Sequence, residues 1–61
     1  MKAYRIKFKS YIQLDTYKRL ETIEAAIIYR YFESGNLLYC YLDRYNLKTI
    51  AKSDIISLEE V

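Results

Sequence analysis

The chain has 61 residues, of which ten are basic and eight acidic, with no histidine, no proline, one cysteine and one glycine. That inventory removes imidazole acid–base chemistry, a disulfide within one chain, an ordinary zinc ligand set and the glycine-rich phosphate loops. A domain this short buries only roughly 60% of the surface its unfolded chain exposes, so self-association is the remaining common source of stability.

Apolar residues make up 52% of the chain and aromatics 16%. Both values are too high for a disordered tail, and eight tyrosines supply large rings with a polar tip. No linker, repeat or low-complexity run divides the sequence, which implies one domain over residues 1–61. Met1 to Lys7 interleaves charge with apolar side chains, unlike the uninterrupted apolar core of a signal peptide, and no stretch approaches 18 apolar residues. Together with an unpaired cysteine this places the expected location in the cytoplasm, with no membrane association. The net charge of +2 is unevenly spread. Residues 1–19 carry six basic groups and one acid, and residues 20–61 carry four basic groups and seven acids.

From Tyr4 to Leu14 the even positions are Tyr4, Ile6, Phe8, Ser10, Ile12 and Leu14, and the odd ones are Arg5, Lys7, Lys9, Tyr11 and Gln13. Period two predicts a strand with one buried face, and its length predicts a bulge or bend near Ser10. Asp15-Thr16 breaks the alternation.

The next segment, Tyr17 to Ser34, has two readings. As a helix, Leu20, Ile23, Ile27 and Tyr31 form one stripe, with Thr22 or Asp15 as N-cap and Gly35 as the left-handed residue past the C-terminus. As a strand, Ile27 to Phe32 is β-branched and aromatic, and Ser34-Gly35 makes a tight hairpin turn. The helix is favoured because Glu21 to Ala26 follows no alternation and holds good helix formers.

Leu37 to Leu42 is an apolar run of strand length, Asp43 to Asn46 has turn composition, and Leu47 to Ala51 reads as the return strand. Ser53-Asp54 marks a further turn, and Ile55, Ile56 and Leu58 form a last short strand. The expected fold is α+β, one helix packed on a small, mainly antiparallel sheet in the order β-α-β-β-β. The alternative is a small all-β, SH3-like barrel.

Three features bear on function. Asp15, Asp43 and Asp54 fall at expected turns, where aspartate bonds to nearby backbone, which leaves no catalytic pair and points to a protein that is not an enzyme and takes no metal or cofactor. Arg5, Lys7, Lys9 and Tyr11 lie on one side of the first strand and resemble a short basic track for single-stranded nucleic acid. The plainer reading is a solvent-facing row whose lysines protect an edge strand.

Leu37 to Leu42 is apolar on both faces, with Leu38, Cys40 and Leu42 on one and Leu37, Tyr39 and Tyr41 on the other. One helix covers one face of a sheet, so Leu37, Tyr39 and Tyr41 become the expected surface for a protein partner or a second copy in a homodimer. A curled sheet covering both faces is the opposing reading. Cys40 reads as a small buried hydrophobe. Isoleucine, lysine, tyrosine and asparagine supply 24 residues, as in a short reading frame from the A/T-rich genome of a bacterium, phage or mobile element. The preferred function is a protein-binding module, an inhibitor or adaptor acting by surface occupation. The alternative is a small nucleic-acid binder that uses the first strand.

Overall fold

A computed structural model describes residues 2–16 and 18–61 and contains six strands: β1 (Tyr4–Gln13), β2 (Arg19–Ile28), β3 (Arg30–Ser34), β4 (Leu37–Tyr41), β5 (Leu47–Ala51) and β6 (Ile55–Glu60). They form two three-stranded antiparallel sheets, ordered β2-β1-β6 and β3-β4-β5. The only helical piece among the described residues is one 3₁₀ turn at Lys52–Asp54.

The expected helix is therefore wrong, and with it the α+β class and the order β-α-β-β-β. Residues 19–28 pair with β1 through ten consecutive partners, from Tyr4 opposite Ile28 to Gln13 opposite Arg19. Glu21 to Ala26 joins a long hairpin in which cross-strand pairing outweighs a helix propensity worth only about half a kcal/mol per residue. The stripe of Leu20, Ile23, Ile27 and Tyr31 is dispersed by this register. Leu20 shares a face with Ile12, Ile23 and Ile27 lie on the opposite face, and Tyr31 belongs to the second sheet. Tyr17, where the ambiguous segment begins, lies outside the described residues.

The all-β alternative gives the right class, in the form of two facing sheets. The chain passes from the first sheet to the second without a loop: only Tyr29 separates β2 from β3, and its N–H donates to the Tyr41 carbonyl at 2.9 Å. Gly35 and Asn36 then close a two-residue turn between Ser34 and Leu37. Gly35 has φ +58° and Asn36 does not have a positive φ, the II′ pattern that requires glycine at its first position.

The even-numbered row of β1 meets the second sheet. Ile6, Phe8 and Ile28 pack with Leu38, Cys40 and Ile50 as the buried core, and Tyr4, Ala26, Leu42, Ile55 and Leu58 border it. Tyr4 and Tyr31 close one end edge to face, centroids 5.0 Å apart. The irregularity expected near Ser10 lies instead between Lys7 and Phe8, on the β6 side only, where Phe8 pairs with Ile55 and the register shifts. Beyond Phe8, β1 has no partner but β2. The hairpin thus runs past the core as a two-stranded arm and gives the molecule its 43 × 23 × 22 Å extents.

β1 is the middle strand of its sheet. The edge-protection reading therefore fails for Lys7, which lies between β2 and β6, whereas Lys9 lies on the stretch of β1 that pairs with β2 alone.

Candidate functional site on the outer face of the second sheet

The pairing register builds the outer face of the second sheet row by row. Arg30, Tyr41 and Leu47 lie abreast, then Phe32, Tyr39 and Thr49, then Ser34, Leu37 and Ala51. Leu37, Tyr39 and Tyr41 therefore occupy the middle of this face, opposite the core row of Leu38 and Cys40. All three are half-buried by their neighbours, whereas Phe32 and Leu47 beside them are exposed.

The rings are engaged with one another. Phe32 stacks on Tyr39 with centroids 4.9 Å apart and planes 5° from parallel, and it lies 6.4 Å from Tyr41 at a tilt. The Arg30 guanidinium covers the Tyr41 ring at 4.3 Å. Offset or parallel aromatic pairs and cation–π contacts each hold their members in place by roughly 0.5–1.5 kcal/mol. The face is thus a braced cluster of ring edges and hydroxyl groups.

At the Tyr41 end the face opens into a groove of about 470 Å³ lined by Tyr29, Arg30, Tyr41, Asp43 and Arg44. Asp43 keeps its negative charge at the groove, but its carboxylate oxygens are hydrogen-bonded within its own turn. Its Oδ1 accepts from the backbone N–H of Tyr45 at 2.7 Å and of Asn46 at 2.9 Å, and its Oδ2 accepts from the Asn46 side-chain amide at 2.6 Å. These bonds, that from Tyr45 foremost, hold the Asp43 carboxyl below the ordinary carboxylate range. Arg44, within that turn, lines the groove together with Arg30 and the Tyr29 and Tyr41 rings. Sequence reasoning missed Phe32 and Arg30, because both fell inside the expected helix. The signal that could have found them is the glycine turn, which folds Phe32 directly across from Tyr39.

The basic row is a different surface, the outer face of the first sheet. Arg5, Lys7, Lys9 and Tyr11 do lie together there, and the cross-strand register surrounds them with Ile23, Ala25, Ile27, Glu21 and Glu59. Lys9 pairs with Glu21 at 3.6 Å, and Arg5 stands opposite Glu59. The Tyr11 ring is covered by the Arg19 guanidinium at 4.6 Å, and its hydroxyl donates to Asp54 at 3.4 Å. Lys7 alone in the row stands between two neutral partners, Ala25 and Ser57.

Cys40 is fully buried, and desolvation pushes its thiol pKa up while the nearby Lys48 ammonium opposes the shift. Asp15 accepts the Lys18 backbone N–H at 2.9 Å, the turn role expected of it. Among the described residues no three of the histidine, cysteine or carboxylate kind converge as metal ligands, and no helix is long and apolar enough to cross a membrane. No protein-family model matches the chain, and neither a curated protein nor a solved structure is found to resemble it.

Proposed function

We propose that this chain is a protein-binding module without catalytic activity, an inhibitor or adaptor that docks the outer face of its second sheet onto a partner protein. The observation that carries the reading is the braced cluster of Phe32, Tyr39, Tyr41 and Leu47, continuous through Tyr41 with the Arg30 and Arg44 groove. Tyrosine, phenylalanine and arginine are the residues enriched where protein interfaces hold their affinity, and a pre-ordered cluster loses little entropy on docking. The partner this surface fits presents an apolar patch flanked by a carboxylate, which a guanidinium accepts in a forked pair.

Nucleic acid is the weaker match on both faces. Base stacking needs open ring faces, and here Phe32 lies on Tyr39, Arg30 covers Tyr41 and Arg19 covers Tyr11. Phosphate binding needs unpaired cations, and two of the three in the row face acids.

Three baits test the reading in a nuclease-treated lysate: the native chain, Tyr39→Ser with Tyr41→Ser, and Lys7→Gln with Lys9→Gln. The expected result is one protein that loads stoichiometrically on the first and third, is lost from the second, and binds again when purified. Retention on the tyrosine variant, or loss from the lysine variant alone, overturns it. Recovery of nucleic acid that leaves with salt from an untreated lysate transfers the function to β1.

A further inference from the structure

The longest free edge of the molecule belongs to β2. Its ten residues pair with β1 on one side, and no other described strand pairs with it on the other. Natural sheets protect such an edge with proline, lysine, a bulge or shortness. The other edge strands use the last two devices: β3 and β5 have five residues each, and β6 is bulged. β2 carries three charges, Arg19, Glu21 and Glu24, but it is twice the length of β3 and β5, its ladder to β1 is unbroken, and from Thr22 to Ile28 its sequence Thr-Ile-Glu-Ala-Ala-Ile-Ile holds only one of them.

We propose that the free edge of β2 pairs with the same edge of a second copy, antiparallel about a two-fold axis at Ile23, so that two three-stranded sheets become one of six strands.

The register follows from complementarity. Centred on Ile23, the pairing sets Arg19 opposite Ile27 of the other copy, Leu20 opposite Ala26, Glu21 opposite Ala25 and Thr22 opposite Glu24, and no like charges meet. Centred on Glu24 it would place that glutamate against its own copy, and centred on Thr22 it would set Leu20 against Glu24. Directly opposed like charges are the arrangement cross-strand pairing avoids, and of the centres that avoid them the one at Ile23 sets the exposed Leu20 of the arm against an aliphatic residue, Ala26, rather than against Glu24. The chosen centre also places together the most exposed aliphatic side chain, Ile23 at 67%, with its own symmetry mate.

The arm supplies the second argument. Ile12 and Leu20 are opposite one another on the core side of the hairpin, 50% and 46% exposed, because the second sheet stops short of them. In the paired sheet, the row Ile12–Leu20 continues into Ala26 and Ile6 of the second copy, the row that borders its core. Each arm thereby extends the other copy's apolar layer. A domain with six buried hydrophobic residues among those described gains from that extension what its own core cannot supply. The pairing leaves the outer face of each second sheet free and stands independently of the partner-binding proposal.

Sedimentation velocity and oxidative cross-linking test it. The native chain is expected at twice the chain mass, Ile23→Lys at one chain mass with an unchanged circular dichroism spectrum, and Tyr39→Ser with Tyr41→Ser still at twice the mass. Ile23→Cys is expected to be trapped by oxidation as a covalent dimer, while the native chain, whose only thiol is buried, is not. This second variant places no charge in the arm and keeps the test decisive if Ile23→Lys does not fold. A native chain that sediments at one chain mass up to millimolar concentration overturns the pairing. So does an Ile23→Cys chain that stays uncross-linked, or a dimer broken by the tyrosine variant and not by Ile23→Lys.

Discussion

Replacing Tyr39 and Tyr41 together by serine separates what the outer face contributes to folding from what it contributes to binding. Both rings are half-buried, so the variant loses the Phe32 stack at 4.9 Å and the Arg30 cover on Tyr41 at 4.3 Å. An aromatic pair is worth about 0.5–1.5 kcal/mol and an exposed cation–π contact about 0.5–1 kcal/mol, for a loss of about 1–2.5 kcal/mol in stability. In a domain of this size each kcal/mol moves the midpoint by about 4–8 °C, so the lost contacts alone lower it by about 4–20 °C, and the lost burial of two half-buried rings lowers it further. Binding should suffer more, since a central aromatic anchor contributes about 2 kcal/mol or more at an interface. Two anchors then weaken the affinity by a factor on the order of 1,000. Denaturant unfolding gives the first quantity, and calorimetric titration with the captured partner, run well below the midpoint, gives the second. Tyr39→Phe with Tyr41→Phe keeps both rings and is expected to bind within about tenfold of the native chain, losing only hydroxyl hydrogen bonds. A folded serine variant that binds within threefold of the native chain would refute the assignment of this face.

Cys40 should resist maleimide in the folded protein and react only on unfolding, because it has no exposed surface and burial raises its thiol pKa. The folded state therefore holds its proton at a pH where the unfolded chain releases it. Stability falls as pH rises through the ordinary thiol value of 9.0 toward the higher folded value, and Cys40→Ala removes that part of the alkaline loss for a cost of about 1–2 kcal/mol at neutral pH. Equal alkaline slopes for the two proteins, measured by urea unfolding between pH 7 and 10, would contradict the burial argument. Asp43 runs the other way: its depressed pKa gives stability that is present above the ordinary carboxylate value of 3.8 and is lost as pH falls through it to the folded value. Asp43→Ala is expected to lower the melting temperature at pH 7, and the gap from the native chain should narrow below pH 3.8. For the basic strand, single-stranded DNA should bind weakly with a log–log salt slope of about −1, because Arg5 and Lys9 face acids and Lys7 is the row's cation without one. Fluorescence anisotropy showing a slope of −3 or steeper at submicromolar affinity would restore the nucleic-acid reading.

Where sequence periodicity was strong, it carried to the structure. β1 alternates because, as far as Phe8, its even side chains meet the second sheet and its odd ones meet water, and Ile6 and Phe8 are buried as that pattern implies, whereas Ile12 keeps the period on the exposed arm. The turns at Asp15 and Asp43 were legible from local chemistry, since each depends on a side-chain acceptor within a few residues, while the positive φ of Gly35 was expected but favoured as a helix end rather than the hairpin turn it makes. Residues 19–28 were not legible for a reason that lies in their placement. Half of β2 forms the arm, where both faces are exposed, and Ile23 and Ile27 point away from the core while Thr22 and Glu24 share the core side. Alternation records burial, so a strand whose apolar side chains face outward sends a false period. No turn residue warned of the passage from β2 to β3 either, because a single residue, Tyr29, makes it.

The two apolar rows of β4 pose a question that alternation cannot answer, namely which row enters the core. The neighbouring side chains answer it. Opposite Ile6, Phe8 and Ile28, two facing sheets about 10 Å apart accept Leu38 and Cys40, which carry no strong hydrogen-bonding group. The other row would bring two phenol hydroxyls into a space where no buried polar side chain waits to receive them, at about 1–3 kcal/mol for each left unpaired. Tyr39 and Tyr41 are outside, then, because of the chemistry of their tips, and this alone would hold with or without a partner. What it does not account for is the company they keep. Phe32 and Leu47 have no polar tip to place in water, yet they lie exposed beside the tyrosines, and the carboxylate that shares the groove with Arg30 and Arg44 is hydrogen-bonded within its own turn. Folding explains the orientation of the tyrosine row. Phe32 and Arg30 also serve the fold, through the stack on Tyr39 and the cover on Tyr41, so the proposed docking role is needed chiefly for the exposed Leu47 and for Arg44 at the groove.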